Sequence, residues 1–116
     1  MRKKYFGIVA AMLTVCVLTM SAWAASTSIS ISKGQSSVTS STLSGKKGSF
    51  YAKNDSSSTE VMQAYGIVDG RSKWDVIIYS GGNESGSYSD SSATRAYKLK
   101  IVGNYYCKGS GTLTVT

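Results

Sequence analysis

The 116-residue chain has no histidine, no proline and two cysteines, so it lacks the commonest general base and the commonest metal ligand. That ligand count excludes a Cys/His zinc site; no metal, no cofactor and no enzymatic activity are expected. Three of the thirteen basic residues behind the formal charge of +7 sit at the extreme N terminus, and the rest are scattered among acids, unlike the clustered stripe that nucleic acid requires.

The chain opens on Arg2, Lys3 and Lys4, continues uncharged and mostly apolar from Tyr5 to Met20, and reaches the small-x-small triplet Ala22-Trp23-Ala24. These are the parts of a secretory signal peptide. Residues 1–24 are expected to be removed by cleavage after Ala24, leaving residues 25–116 as one domain. The apolar stretch falls short of the roughly 20 residues that a spanning helix needs, so no stable membrane span is expected after cleavage. Val15 precedes Cys16 where a lipoprotein signal wants a small residue. The short, lysine-rich start resembles Gram-positive signals, and secretion from such a bacterium, outside the cell or into a wall space, is the expectation.

Ten basic residues then face six acidic ones, a net +4 that suits solubility and weak attraction to anionic surfaces. Cys16 lies in the leader, so Cys107 has no intrachain partner. It is either a buried small hydrophobe or a free thiol able to pair between chains. Small secreted folds often depend on disulfides; this one must depend on its apolar core.

Period-two alternation between turn signals predicts strands. Ser26–Ser32 sets Ile29 and Ile31 against serines, and Lys33-Gly34 turns. Gln35–Leu43 is weak, carried by Val38 and Leu43, with a loop at 44–48. Ser49–Lys53 offers Phe50 and Ala52, and Asn54-Asp55 begins the next turn. Thr59–Val68 and Trp74–Tyr79 are apolar on both faces, as in strands covered on both sides, and Asp69-Gly70 between them is a tight hairpin signal. Ser85–Ser92 is polar and anchored by Tyr88. Arg95–Val102 points Tyr97, Leu99 and Ile101 inward and Lys98 and Lys100 outward. Tyr105-Tyr106-Cys107 reads as a short strand, and Thr112–Thr116 closes with Leu113 and Val115 inward. About seven to nine short strands without a helix imply an all-β, two-layer antiparallel β-sandwich, with a small β-barrel as the alternative.

The segment from Tyr105 to Val115, with Cys107 and the Gly109-Ser110-Gly111 loop, resembles the last two strands of an immunoglobulin variable domain. The partner cysteine on an earlier strand is missing, so this likeness is read as convergent strand chemistry. The final third, with Tyr97-Lys98-Leu99-Lys100-Ile101-Val102-Gly103 and then Gly111-Thr112 leading into Val115, resembles bacterial secreted β-sandwich modules such as pre-peptidase C-terminal domains. That resemblance implies an accessory or binding role and identifies no ligand.

No serine can pair with a histidine, and no Gly-x-Ser-x-Gly elbow occurs. Asp69, Asp75 and Asp90 are read as surface charge, and the sequons at Asn54 and Asn83 as turns. The positive signal is aromatic: the chain carries eight tyrosines besides Trp74, and tyrosine and tryptophan give rigid contact area at small entropic cost. Trp74, Tyr65 and Tyr97 are assigned to packing. Adjacent Tyr105 and Tyr106, with Arg95 or Lys108, are the candidate ligand-binding patch. The leading expectation is a secreted, non-catalytic binding module for carbohydrate, cell-wall polymer or an extracellular protein. A cationic bacteriocin-like effector and a structural protein assembling through its β-edges are the alternatives.

Overall fold

A computed structural model describes residues 17–20, 24–104 and 106–116. Among them ten strands form two antiparallel sheets. In chain order these are β1 (Val17–Met20), β2 (Ala25–Ile31), β3 (Ser37–Thr39), β4 (Leu43–Gly45), β5 (Lys47–Asn54), β6 (Met62–Val68), β7 (Arg71–Ile78), β8 (Asn83–Ser89), β9 (Arg95–Val102) and β10 (Gly109–Val115). The first sheet has the order β1-β2-β10-β5-β8. The second runs β3-β9-β6-β7, and β4 shares the β3 side of β9. The sheets stay open, so the fold is the expected sandwich and not the barrel.

With β1 set aside, the pairs β2·β10, β9 with β3 and β4, β5·β8 and β6·β7 nest one inside the next. This is one long antiparallel hairpin rolled up, the wrapping of a jelly roll. Its tip is Asp69-Gly70, with φ of 50° and 82°. Two consecutive positive-φ residues match the right-handed twist of the flanking strands, which is why this dipeptide makes a tight hairpin.

Alternation decides what is buried. Ile29, Ile31, Val38, Leu43, Phe50, Ala52, Leu99, Ile101, Leu113 and Val115 all enter the core from the faces expected of them. Three aromatic rings fill the middle: Phe50 stacks on Trp74 at 5.5 Å between ring centres and meets Tyr97 at 6.4 Å. Each faces a glycine of the opposite sheet, Phe50 on Gly66, Tyr97 on Gly48 and Trp74 on Gly86, where a Cβ would overlap the ring.

Several expectations need correction. The weak segment 35–43 holds two short strands, β3 and β4, and the expected 44–48 loop shrinks to a bend at Lys46, where the chain passes from the second sheet to the first. Between β3 and β4, Ser40 replaces the missing ladder: its Oγ accepts from Leu99 N at 2.9 Å, and its own N–H donates to Leu99 O at 2.8 Å. β6 is central but covered on one face only, because the described residues form two layers. β7 is an edge strand, and its outward row leaves Ile77 52% and neighbouring Tyr79 71% exposed. Tyr106 lies in a turn and not a strand.

β1 lies inside the segment read as a leader and pairs Val17–Met20 with Ala25–Ser28 of β2. Residues 1–16 and 21–23, with the basic start, Cys16 and most of the cleavage triplet, lie outside the described residues.

Candidate functional site: a hydroxyl-covered sheet face

The outer face of the first sheet is nearly all Ser and Thr. Strand register arranges it as three rows that cross four strands, with Lys47 and Ser89 as a shorter fourth beside the first. Ser26, Thr114, Ser49 and Ser87 form one, and Ser28, Thr112, Tyr51 and Ser85 the next. Ser30, Ser110, Lys53 and Asn83 form the third. Strands lie about 4.8 Å apart and same-face residues about 6.8 Å apart along each strand, so the hydroxyls form a regular grid. Toward β2 they bond to one another: Ser26 Oγ and Thr114 Oγ1 are 2.9 Å apart, Ser28 Oγ and Thr112 Oγ1 3.3 Å.

Tyr51 is the single aromatic side chain on this grid, 39% exposed. Around it lies a depression of about 380 Å³ lined by Ser49, Ser85, Ser87, Thr112 and Thr114. Neither the first row nor the Tyr51 row contains a charged residue. The cross-strand neighbours of the ring, Thr112 and Ser85, are small, which leaves it partly open to solvent. Sequence reasoning assigned these serines to the solvent face, and it missed Tyr51 as a site because only cross-strand register shows what surrounds it.

The candidate patch read from sequence is placed differently. Tyr106 is 54% exposed in the β9–β10 connection. Lys108 is nearby and exposed, its main chain held by Ser58, whose Oγ accepts from Lys108 N and donates to Lys108 O, both at 2.8 Å. Arg95 starts β9 at the opposite end of the sandwich, roughly 23 Å away along an eight-residue strand. Its guanidinium donates to Asp69 at 3.0 Å and to Asp90 through both Nε and Nη2. The structure therefore brings Tyr106 and Lys108 to one end and leaves Arg95 at the other, while Tyr105 lies outside the described residues.

The Arg95 cluster has a structural role. Asp69 also accepts from Ala96 N, and Asp90 from Ser92 N and Oγ, so one guanidinium ties the β6–β7 turn to the β8–β9 loop. Hydrogen bonds from Ser92 and Arg95 hold the Asp90 carboxyl far below the usual carboxylate range. Asp69 is lowered chiefly by the Ala96 N–H and then by Arg95. Cys107 is buried, with Sγ 3.9 Å from Asn54 Oδ1, and burial pushes its thiol pKa up. Among the described residues no group of three His, Cys, Asp or Glu side chains could hold a metal, and no helix is long and apolar enough to cross a membrane.

No family model matches the chain, and no curated protein matches it. Similar solved structures include protein NMB1881 from Neisseria meningitidis, at 9% identity and TM-score 0.40, covering 87% of this chain and 83% of that one. A chain from the disulfide-linked pili of Bacillus endospore appendages is 16% identical with TM-score 0.41, covering 86% and 97%. TmCBM61, solved in complex with β-1,4-galactotriose, is 10% identical with TM-score 0.33, covering 84% and 65%.

Proposed function

We propose that this chain is an exported, non-catalytic binding module that holds a neutral glycan on the outer face of its first sheet, with Tyr51 as the platform. The observation that supports it is the placement of one half-exposed aromatic ring in a depression lined by Ser and Thr hydroxyls. A sugar ring presents an apolar C–H face and a rim of hydroxyls. The first suits an aromatic surface, and the second exchanges hydrogen bonds with Ser and Thr groups that both donate and accept. The nearest charge on the face is Lys53, one same-face step from Tyr51 along β5, so the depression itself is lined by neutral groups. Catalysis has no place in this reading, because the chain has no histidine and the hydroxyls toward β2 are partnered by one another.

An open face with one ring gives weak binding. Neutral hydrogen bonds contribute only about 0.5–1.5 kcal/mol each after water is displaced, so a dissociation constant of about 1 mM per site, near −4 kcal/mol, is expected. The test is titration of the protein with neutral hexasaccharides of the cello-, chito- and manno- series, followed by amide chemical-shift mapping. At least one series is expected to shift Ser49, Tyr51, Ser85 and Thr112, and Tyr51→Ala is expected to abolish the effect while keeping the wild-type circular dichroism spectrum. Absence of shifts with every series, or shifts confined to other surfaces, rejects the reading.

A further inference from the structure

A sheet edge is a row of unpaired N–H and C=O groups, and soluble proteins protect such edges with charges, bulges, breaks or short strands. Three of the edges here are protected. The β3/β4 side is split into two three-residue pieces. β7 carries Arg71, Lys73 and Asp75 and has a register shift opposite Gly66/Ile67. β8 carries Glu84. β2 differs: its seven residues, Ala25-Ser26-Thr27-Ser28-Ile29-Ser30-Ile31, include no charge and no bulge. Its outer edge is covered by β1, which lies within the expected leader.

We propose that removal of the leader uncovers β2 as the seam of a two-fold dimer of this chain, in which β2 pairs antiparallel with β2 of a second copy. This inference rests on the leader being cleaved, and it is independent of the glycan. The edge already accepts an antiparallel strand, as β1 shows, so its backbone geometry suits the pairing. A second β2 fits it because the strand complements itself. With all seven residues overlapped, Ser28 lies on the two-fold axis opposite its own copy, Ser26 meets Ser30, Thr27 meets Ile29, and Ala25 meets Ile31. Hydroxyls then meet hydroxyls on the outer face, as Ser26 already meets Thr114, while the inward row stays apolar apart from Thr27.

The consequence is geometric. An antiparallel two-fold has its axis normal to the sheet, so both outer faces point the same way. The strands run β8-β5-β10-β2 and then β2-β10-β5-β8 without a break. The row Ser28, Thr112, Tyr51 and Ser85 continues through the axis into its copy, and the two Tyr51 rings stand five strand spacings, about 24 Å, apart on one surface. Two weak sites on one plane suit a repetitive polymer, because the second contact becomes intramolecular. A seven-residue seam is small beside the roughly 1,200 Å² of a stable interface, so the dimer is reversible.

The test is sedimentation of the exported protein, with its N terminus fixed by mass spectrometry, from roughly 5 µM to roughly 500 µM. The expected result is an N terminus at Ala25 and reversible conversion to twice the mass. Ser28→Lys, which sets like charges face to face on the axis, is expected to raise the dissociation constant about tenfold or more. Asn83→Lys, on the β8 edge, is expected to leave it unchanged, and both variants should keep the wild-type circular dichroism spectrum. A protein starting at Ala25 that stays monomeric overturns the proposal, as does one that retains residues 17–20, or one whose association is sensitive to Asn83→Lys and not to Ser28→Lys. Because no ligand is present, failure of the glycan reading leaves each of these outcomes readable.

Discussion

Asn54 shows what a single polar residue does when its surroundings close over it. The sequence places it in a turn, and it does end β5, but its side chain is fully buried. Nδ2 donates to Glu60 O at 3.0 Å and to Ile78 O at 2.9 Å, and the backbone N–H donates to Gly82 O. The amide thus joins the β5–β6 loop to the end of β7. Burial also keeps it from serving as a glycosylation acceptor in the folded protein. Asn54→Ala removes both donors and strands a buried carbonyl, an arrangement that costs more than the lost hydrogen bonds themselves. A loss of about 2–4 kcal/mol is expected, read as a lower urea midpoint at unchanged slope; a loss below about 0.5 kcal/mol refutes this role. Buried Asn54, Ser40 and Ser58 could not be read from sequence, because each looks like ordinary loop polarity until the partner strand is placed beside it.

At the level of elements, legibility followed one-sidedness. β9 was predicted with its observed limits because it alternates cleanly, with Tyr97, Leu99 and Ile101 buried and Lys98 exposed. β6 and β7 are apolar on both faces, and period-two patterning cannot tell an outward apolar row that is covered from one left open. The candidate patch failed to assemble for a related reason. Adjacency along the chain joined Tyr106 to Lys108, but whether Arg95 lay near them depended on the direction of β9. The hairpin between β6 and β7 was readable because its dipeptide carries a backbone requirement. Gly70 has φ of 82° and nothing within 4 Å of a built Cβ, so substitution there tests conformation without packing. Gly70→Ala is expected to destabilise by about 1 kcal/mol, measurable by chemical denaturation. Equal stability would mean that the turn relaxes to another form.

For the molecule as a whole, stability should form a plateau in pH with a limb at each end, because acids with displaced pKa values fall into two opposed groups. Asp55, Asp69 and Asp90 are lowered in the folded protein, led by the Ser57 backbone N–H, the Ala96 backbone N–H and the Ser92 side chain respectively. Folded carboxylates then bind fewer protons than unfolded ones. Their contribution is complete above the ordinary value of about 4 and is lost as pH falls through the folded values. Cys107 and Tyr97 are raised, both chiefly by desolvation. Folded thiol and phenol therefore keep protons that the unfolded chain releases. Their contribution is intact below the ordinary values of about 8.5 and about 10 and is lost as pH rises through the folded ones. Tyr97 has no hydrogen-bond partner for its buried hydroxyl among the described residues, so ionising it in place leaves the charge uncompensated. Calorimetry from pH 2 to pH 11 should give a melting temperature that is flat from about pH 5 to about pH 8 and falls on both sides. Tyr97→Phe should flatten the limb above about pH 10 and leave the acid limb untouched. If the alkaline limb keeps its slope in that variant, the buried phenol is not what the folded state protects from ionisation.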